Sequence, residues 1–161
     1  MKKYLIIISL TIAAISCQSP KEKLADRIKE LENSDSIFSA ELMKELKENY
    51  IAFSKKYPDD ERSASYLFKA AQRCLALNEP NEAVLLLNDL ISTYKQNEIL
   101  ENAMFLLAFT YENSLNQIPQ AEAAYKNFLQ KFPDGELSED AKIALQNLGK
   151  TPEEILKQSE K

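Results

Sequence analysis

The chain has 161 residues, with 20 Lys+Arg against 25 Asp+Glu, no His, no Trp, two Gly and two Cys. That is the length of one domain, rich in helix formers and too poor in Gly and Pro for the turns of a β-sandwich or barrel. Without His there is no Ser-His-Asp or Cys-His nucleophile and no HExxH zinc site, and Gly135 and Gly149 alone cannot build a P-loop or a GxGxxG turn. A net charge of −5 offers no basic face for a nucleic acid backbone.

Residues 1–17 read MKKYLIIISLTIAAISC. Lys2 and Lys3 precede an apolar run, Leu5 to Ile15, that is far shorter than the ~20 residues of a membrane-spanning helix. The run ends in Ala14-Ile15-Ser16-Cys17, with small residues at the first and third of these positions. This resembles a bacterial lipoprotein signal, with Ala in place of the commoner Leu. The resemblance implies cleavage before Cys17, a signal peptide over 1–16 and a lipid on the Cys17 thiol. An ordinary secretory signal also accepts Ala-x-Ser and stays an alternative. Cleavage removes two Lys and no acid, taking the net charge to −7. Lipidation of Cys17 leaves Cys74 alone, on a helical apolar stripe where a buried, inert thiol is expected.

Residues 17–34 are polar and charged, with a thin stripe of Leu24, Ile28 and Leu31. They read as a tether that can dock as a short helix. A helical domain is expected over 35–161. The periodicity predicts helices at about 36–57, 61–77, 80–95, 98–115, 119–131, 137–148 and 152–159. Asp59-Asp60, Asn97 and Thr151-Pro152-Glu153-Glu154 supply helix starts, Pro80 and Pro119 fit first-turn positions, and Gly149 suits a left-handed stop.

The stripes repeat. Leu46, Tyr50, Phe53 and Tyr57 recur as Ala83, Leu87, Leu90 and Tyr94, offset by 37 residues, and as Ala121, Tyr125, Phe128 and Phe132, offset by a further 38. The intervening helices carry Leu67, Ala70, Ala71 and Cys74, then Met104, Leu107, Ala108 and Tyr111, again 37 apart. A helix pair of this length cannot bury its apolar face alone and must stack on its neighbours.

The pattern resembles the tetratricopeptide repeat. Ala71 and Ala108 match its small mid-helix position, Ala83 and Ala121 the start of its second helix, and Pro58 and Pro133 its closing proline. The departures are the longer period, Leu67 or Met104 where Trp is typical, and Lys95 in place of the middle proline. The resemblance covers roughly residues 36–149. It implies an all-α fold, a short right-handed superhelix of antiparallel helix pairs with a concave groove.

Together with the lipobox, the chain is similar to envelope lipoproteins of this class, including the small lipoprotein of the outer-membrane β-barrel assembly machinery and the repeat domain of the Tol-Pal division coordinator. That implies a non-enzymatic, lipid-anchored scaffold of the bacterial envelope, periplasm-facing on the outer membrane, serving outer-membrane assembly or envelope maintenance. By the repeat alignment, the groove for a partner protein or peptide would be lined by Phe68, Gln72, Asn102, Phe105, Phe109, Glu112 and Asn113. The same Phe residues are also candidates for core between neighbouring helices. A binding module for a small peptide or glycan, serving uptake, is the alternative function.

No cofactor, metal or nucleic acid partner is expected. The acid pairs Asp59-Asp60-Glu61, Glu139-Asp140 and Glu153-Glu154 fall in first turns, where carboxylates favour the helix dipole, and read as caps rather than a catalytic dyad. Asn33-Ser34-Asp35-Ser36 is the nearest approach to a calcium loop and a weak one.

Overall fold

A computed structural model of the chain describes residues 18–34 and 39–159. The signal peptide, Cys17, Asp35 and Ser36 lie outside them. The described residues are helical, with no strand. The helices are α1 (Pro20–Glu32), α2 (Ala40–Lys56), α3 (Ser63–Ala76), α4 (Pro80–Thr93), α5 (Leu100–Phe109), α6 (Ile118–Lys131), α7 (Ser138–Asn147) and α8 (Pro152–Ser159). None is long and apolar enough to cross a membrane. Packing runs between chain neighbours, from α1 on α2 through to α6 on α7.

The repeat seen in the sequence is also a repeat in hydrogen bonding. At the junction entering α3, Asp60 N–H donates to Tyr57 O and Ser63 N–H to Asp60 O, at 3.0 and 2.9 Å. Entering α5, Asn97 donates to Tyr94 O at 3.2 Å and Leu100 to Asn97 O at 3.0 Å. Entering α7, Gly135 donates to Phe132 O at 3.4 Å and Ser138 to Gly135 O at 3.1 Å. These tight turns take up the first residues of each expected helix, so α3 and α5 begin two residues later than the periodicity predicts. The apolar stripes obey the same register: Leu46, Ala83 and Ala121, then Tyr50, Leu87 and Tyr125, then Phe53, Leu90 and Phe128 are all fully buried.

The opposite edge repeats too. Asn78, Asn116 and Gly149 follow α3, the α5 region and α7, with φ of 60°, 50° and 74°. Each terminates its helix in the left-handed conformation, which Gly and Asn tolerate best. At the last of these junctions Thr151 and Glu154 form the expected capping box, Glu154 accepting from Thr151 N–H at 2.8 Å and Thr151 Oγ1 from Glu154 N–H at 3.3 Å.

The change of offset from 37 to 38 has a structural cause. Cys74 and Tyr111 are 37 apart, whereas Asn78 and Asn116 are 38 apart, so the added residue falls between 111 and 116. There α5 runs on into a π-helical turn, Thr110–Ser114, in which Leu115 N–H reaches back five residues to Thr110 O at 3.1 Å. A π turn holds one residue more than an α turn, so the added residue is taken up at the helix end, before the link to α6.

Within the tether expected over 17–34, residues 20–32 take its docked form, a short helix. They form α1, capped by Ser19 Oγ accepting from Glu22 N–H at 3.2 Å, with Ala25, Ile28 and Leu31 buried in the common core. Both ends are pinned. Lys21 pairs with Asp60 at 3.0 Å, and the Arg62 guanidinium meets both oxygens of Glu22, at 3.0 and 3.2 Å. Glu32 accepts from Tyr50 Oη at 2.7 Å and from Lys69 Nζ at 2.6 Å. The partners lie 18 to 40 residues away in sequence, so a local reading of the segment misses them. α1 gives α2 a packing partner.

Candidate binding surfaces

The expected groove residues divide between α3 and the α5–π segment. On α3, Phe68 is half-buried against the core and Gln72 is exposed. Asn102, Phe105, Phe109 and Asn113 share one face, at spacings of three and four. Of these, Phe105 is committed to packing. Its ring stands edge-on to Tyr125 and Phe128, at centroid distances of 5.9 and 5.8 Å. Glu112 is engaged as well, accepting from the buried Tyr125 Oη at 2.7 Å. Burial, with the bond to Glu112, pushes the Tyr125 phenol above its ordinary range. Phe109 is different. It is 44% exposed, with Asn102 and Asn113 also exposed, and Asn113 Nδ2 donates to Phe109 O at 3.3 Å. Of the expected groove residues, those around Phe109 are therefore accessible, and Phe105 packs behind them.

A second concavity lies between α4, α5 and α6, with a volume of about 320 Å³. It is lined by Asn88 and Ile91 of α4, Met104, Leu107 and Tyr111 of α5 and its π turn, and Gln120, Ala123, Ala124 and Asn127 of α6. No charged side chain lines it; the polar groups are three carboxamides and one phenol. One lining position differs in size between repeats: at the 38-residue offset, Ala124 corresponds to Leu86. Leu86 is 8% exposed and part of the core, while Ala124 leaves its equivalent space open. Leu86 against Ala124 is the signal in the sequence for this space, and aligning only the stripes passes over it.

Cys74, Glu79 and Glu82 bring a thiol and two carboxylates together. Lys47 sits among them, its ammonium 2.6 Å from Glu79 and 2.7 Å from Glu82. Burial works against that charge, but the two carboxylates outweigh it and hold Lys47 protonated above its ordinary range. The cluster carries its own cation, which leaves the carboxylates compensated without a metal ion. Burial pushes the Cys74 thiol up to about 12, so it is neither a nucleophile nor a ready ligand at neutral pH.

Glu139-Asp140 and Glu153-Glu154 lie in the first turns of α7 and α8, whereas Asp59-Asp60-Glu61 fall in the turn before α3, whose own first turn holds no acid. Asp60 Oδ1 accepts from Arg62 N–H at 3.1 Å and Asn97 Oδ1 from Ile99 N–H at 3.0 Å, one residue type serving the same role a repeat apart. The third junction has Gly135 at that position and no side chain to offer. There Glu101, 36 residues earlier, reaches across to accept from Leu137 N–H at 2.9 Å. Tyr94 makes a parallel stitch to the preceding junction, donating from Oη to Pro58 O at 2.9 Å.

No protein-family model matches the sequence, and no curated protein matches it.

Proposed function

We propose that the chain is a non-enzymatic scaffold of tetratricopeptide type, anchored by lipid on Cys17 in the bacterial envelope and facing the periplasm from the outer membrane. A protein or peptide partner binds at the Phe109 end of its groove, in the service of outer-membrane assembly or envelope maintenance. The observation that carries this reading is the recurrence of the same junction hydrogen bonds three times along the chain. Repetition of one helix-pair unit builds an extended surface rather than an enclosed reaction centre, and such surfaces serve recognition. The exposed Phe109, flanked by the carboxamides of Asn102 and Asn113, supplies an apolar anchor with donors and acceptors for a partner's backbone.

Photo-crosslinking in the native cell tests this, with the probe at position 109 and a control at Lys126, which is exposed on α6. A discrete membrane-fraction adduct at 109 alone supports the scaffold. A folded, anchored protein that gives no adduct at 109 overturns the groove.

The α4–α5–α6 pocket favours a second reading, a binding module for a small ligand with an apolar group. Ligand at 100 times its Kd raises stability by ~2.7 kcal/mol, so a melting shift with peptides or glycans and no protein partner distinguishes the two.

A further inference from the structure

We propose that the edge of the fold formed by the start of α1 and the 57–62 junction rests directly on the lipid bilayer, so that the domain is held in one orientation at the membrane surface. The inference rests on the Cys17 anchor proposed above.

Its basis is the length of chain left free. Only three Cα–Cα steps separate Cys17 from Pro20, where α1 begins. Fully extended, they span about 11 Å. A flexible tether reaching to residue 34 would instead give a root-mean-square reach of about 23 Å and a contour about five times longer than 11 Å. α1 cannot lend length cheaply. Releasing it exposes Ile28, which is fully buried, and breaks the pairs of Lys21 with Asp60, Glu22 with Arg62 and Glu32 with Lys69.

The same pairs fix which edge is near. Lys21 and Glu22 lie in the first turn of α1, and their partners Asp60 and Arg62 lie in the junction between α2 and α3. Lys23, Lys55 and Lys56 are exposed at this edge, beside Asp59 and Glu61. Lysines here suit a bilayer surface containing anionic headgroups. The left-handed junctions at Asn78 and Asn116 lie at the other ends of the helices. The 14 residues of α4 set that edge about 21 Å further out.

The test uses the full chain, processed and lipidated in a bacterial host, in vesicles of phosphatidylethanolamine and phosphatidylglycerol carrying a nitroxide on the headgroup. One environment-sensitive fluorophore is placed at Lys56→Cys or at Asn81→Cys; the buried Cys74 stays unlabelled. The expected result is flotation of both proteins, quenching of about twofold or more at 56 and little at 81, given the helix length between the two edges. Fifteen Gly/Ser residues inserted between Gln18 and Ser19 keep the Ser19 cap and abolish the quenching at 56 without affecting flotation. Flotation with equal quenching at 56 and 81, or with none, overturns the fixed orientation and leaves the anchor standing. Protein that does not float overturns the anchor, and this inference with it.

Discussion

The carboxylate of Glu101 performs at the α7 junction what Asp60 and Asn97 do for themselves, and this makes Gly135→Ala an informative change. Gly135 does not occupy the left-handed region, so alanine suits its backbone. A β-carbon there would come within 2.7 Å of the Glu101 carboxylate carbon and 3.0 Å of its second oxygen. The carboxylate is the end of a flexible side chain and must swing away, losing its bond to Leu137 N–H. Loss of a helix-start acceptor costs about 1 kcal/mol. Replacing Gly by Ala returns ~0.4–1 kcal/mol through the unfolded chain. In the wild-type background the two nearly cancel, leaving a net loss of a few tenths of a kcal/mol. In a Glu101→Ala background there is no carboxylate to displace, and the same change stabilises by ~0.4–1 kcal/mol. The coupling between the sites is therefore about 1 kcal/mol, measurable by a urea-denaturation double-mutant cycle. Gly135→Asn should recover the bond from its own side chain, as Asn97 does, and exceed the alanine variant by about 1 kcal/mol. An equal effect of Gly135→Ala in both backgrounds refutes the borrowed cap.

Ile28→Ala should cost ~2–5 kcal/mol in chemical denaturation, since Ile28 is fully buried; a segment serving only as a tether would lose almost nothing. The hydrogen bond from Arg62, with Lys21, holds the Asp60 carboxyl well below the usual carboxylate range, and Glu22 is lowered chiefly by Arg62. Glu32 is raised by burial but lowered more by Lys69 and Tyr50. Groups with depressed folded pKa values stabilise above their ordinary pKa near 4 and lose that contribution as pH falls through the folded value. Amide exchange in α1, corrected for intrinsic rate, should therefore lose protection below about pH 4 before α4 does. Ala124→Leu should fill part of the 320 Å³ pocket and hold or raise the melting temperature, while abolishing any ligand-induced shift there; a fall of several degrees would mean the space is not open to a side chain. Phe105→Ala should lose ~3–5 kcal/mol of stability, whereas Phe109→Ala should melt within about 1 kcal/mol of wild type and lose the crosslinkable partner.

Features written within one helix were legible in the sequence. The stripes at 46–57, 83–94 and 121–132, the small Ala pairs, the Asn97 start and the Gly149 stop all follow from periodicity and local backbone preference. Features made by two distant segments were not. The thin stripe of α1 allows docking without saying where, and Asp60, Arg62 and Lys69 hold its ends. Phe105 and Phe109 are one turn apart and look equivalent in the sequence, yet Tyr125 and Phe128 claim one and leave the other exposed. The Glu101 cap spans 36 residues and becomes intelligible only once Gly135 is seen to lack the side chain its counterparts use.

The π turn at Thr110–Ser114 bears on how such an array tolerates change. One residue added to an unbroken α-helix rotates everything beyond it by about 100°, enough to turn a core face toward water. Here the surplus letter is spent inside a single loose turn, and Ala121, Tyr125 and Phe128 still point inward. An array of such units can thus differ in unit length without losing phase, provided the slack collects at a helix end. The mismatch between 37 and 38 marks where this chain holds it.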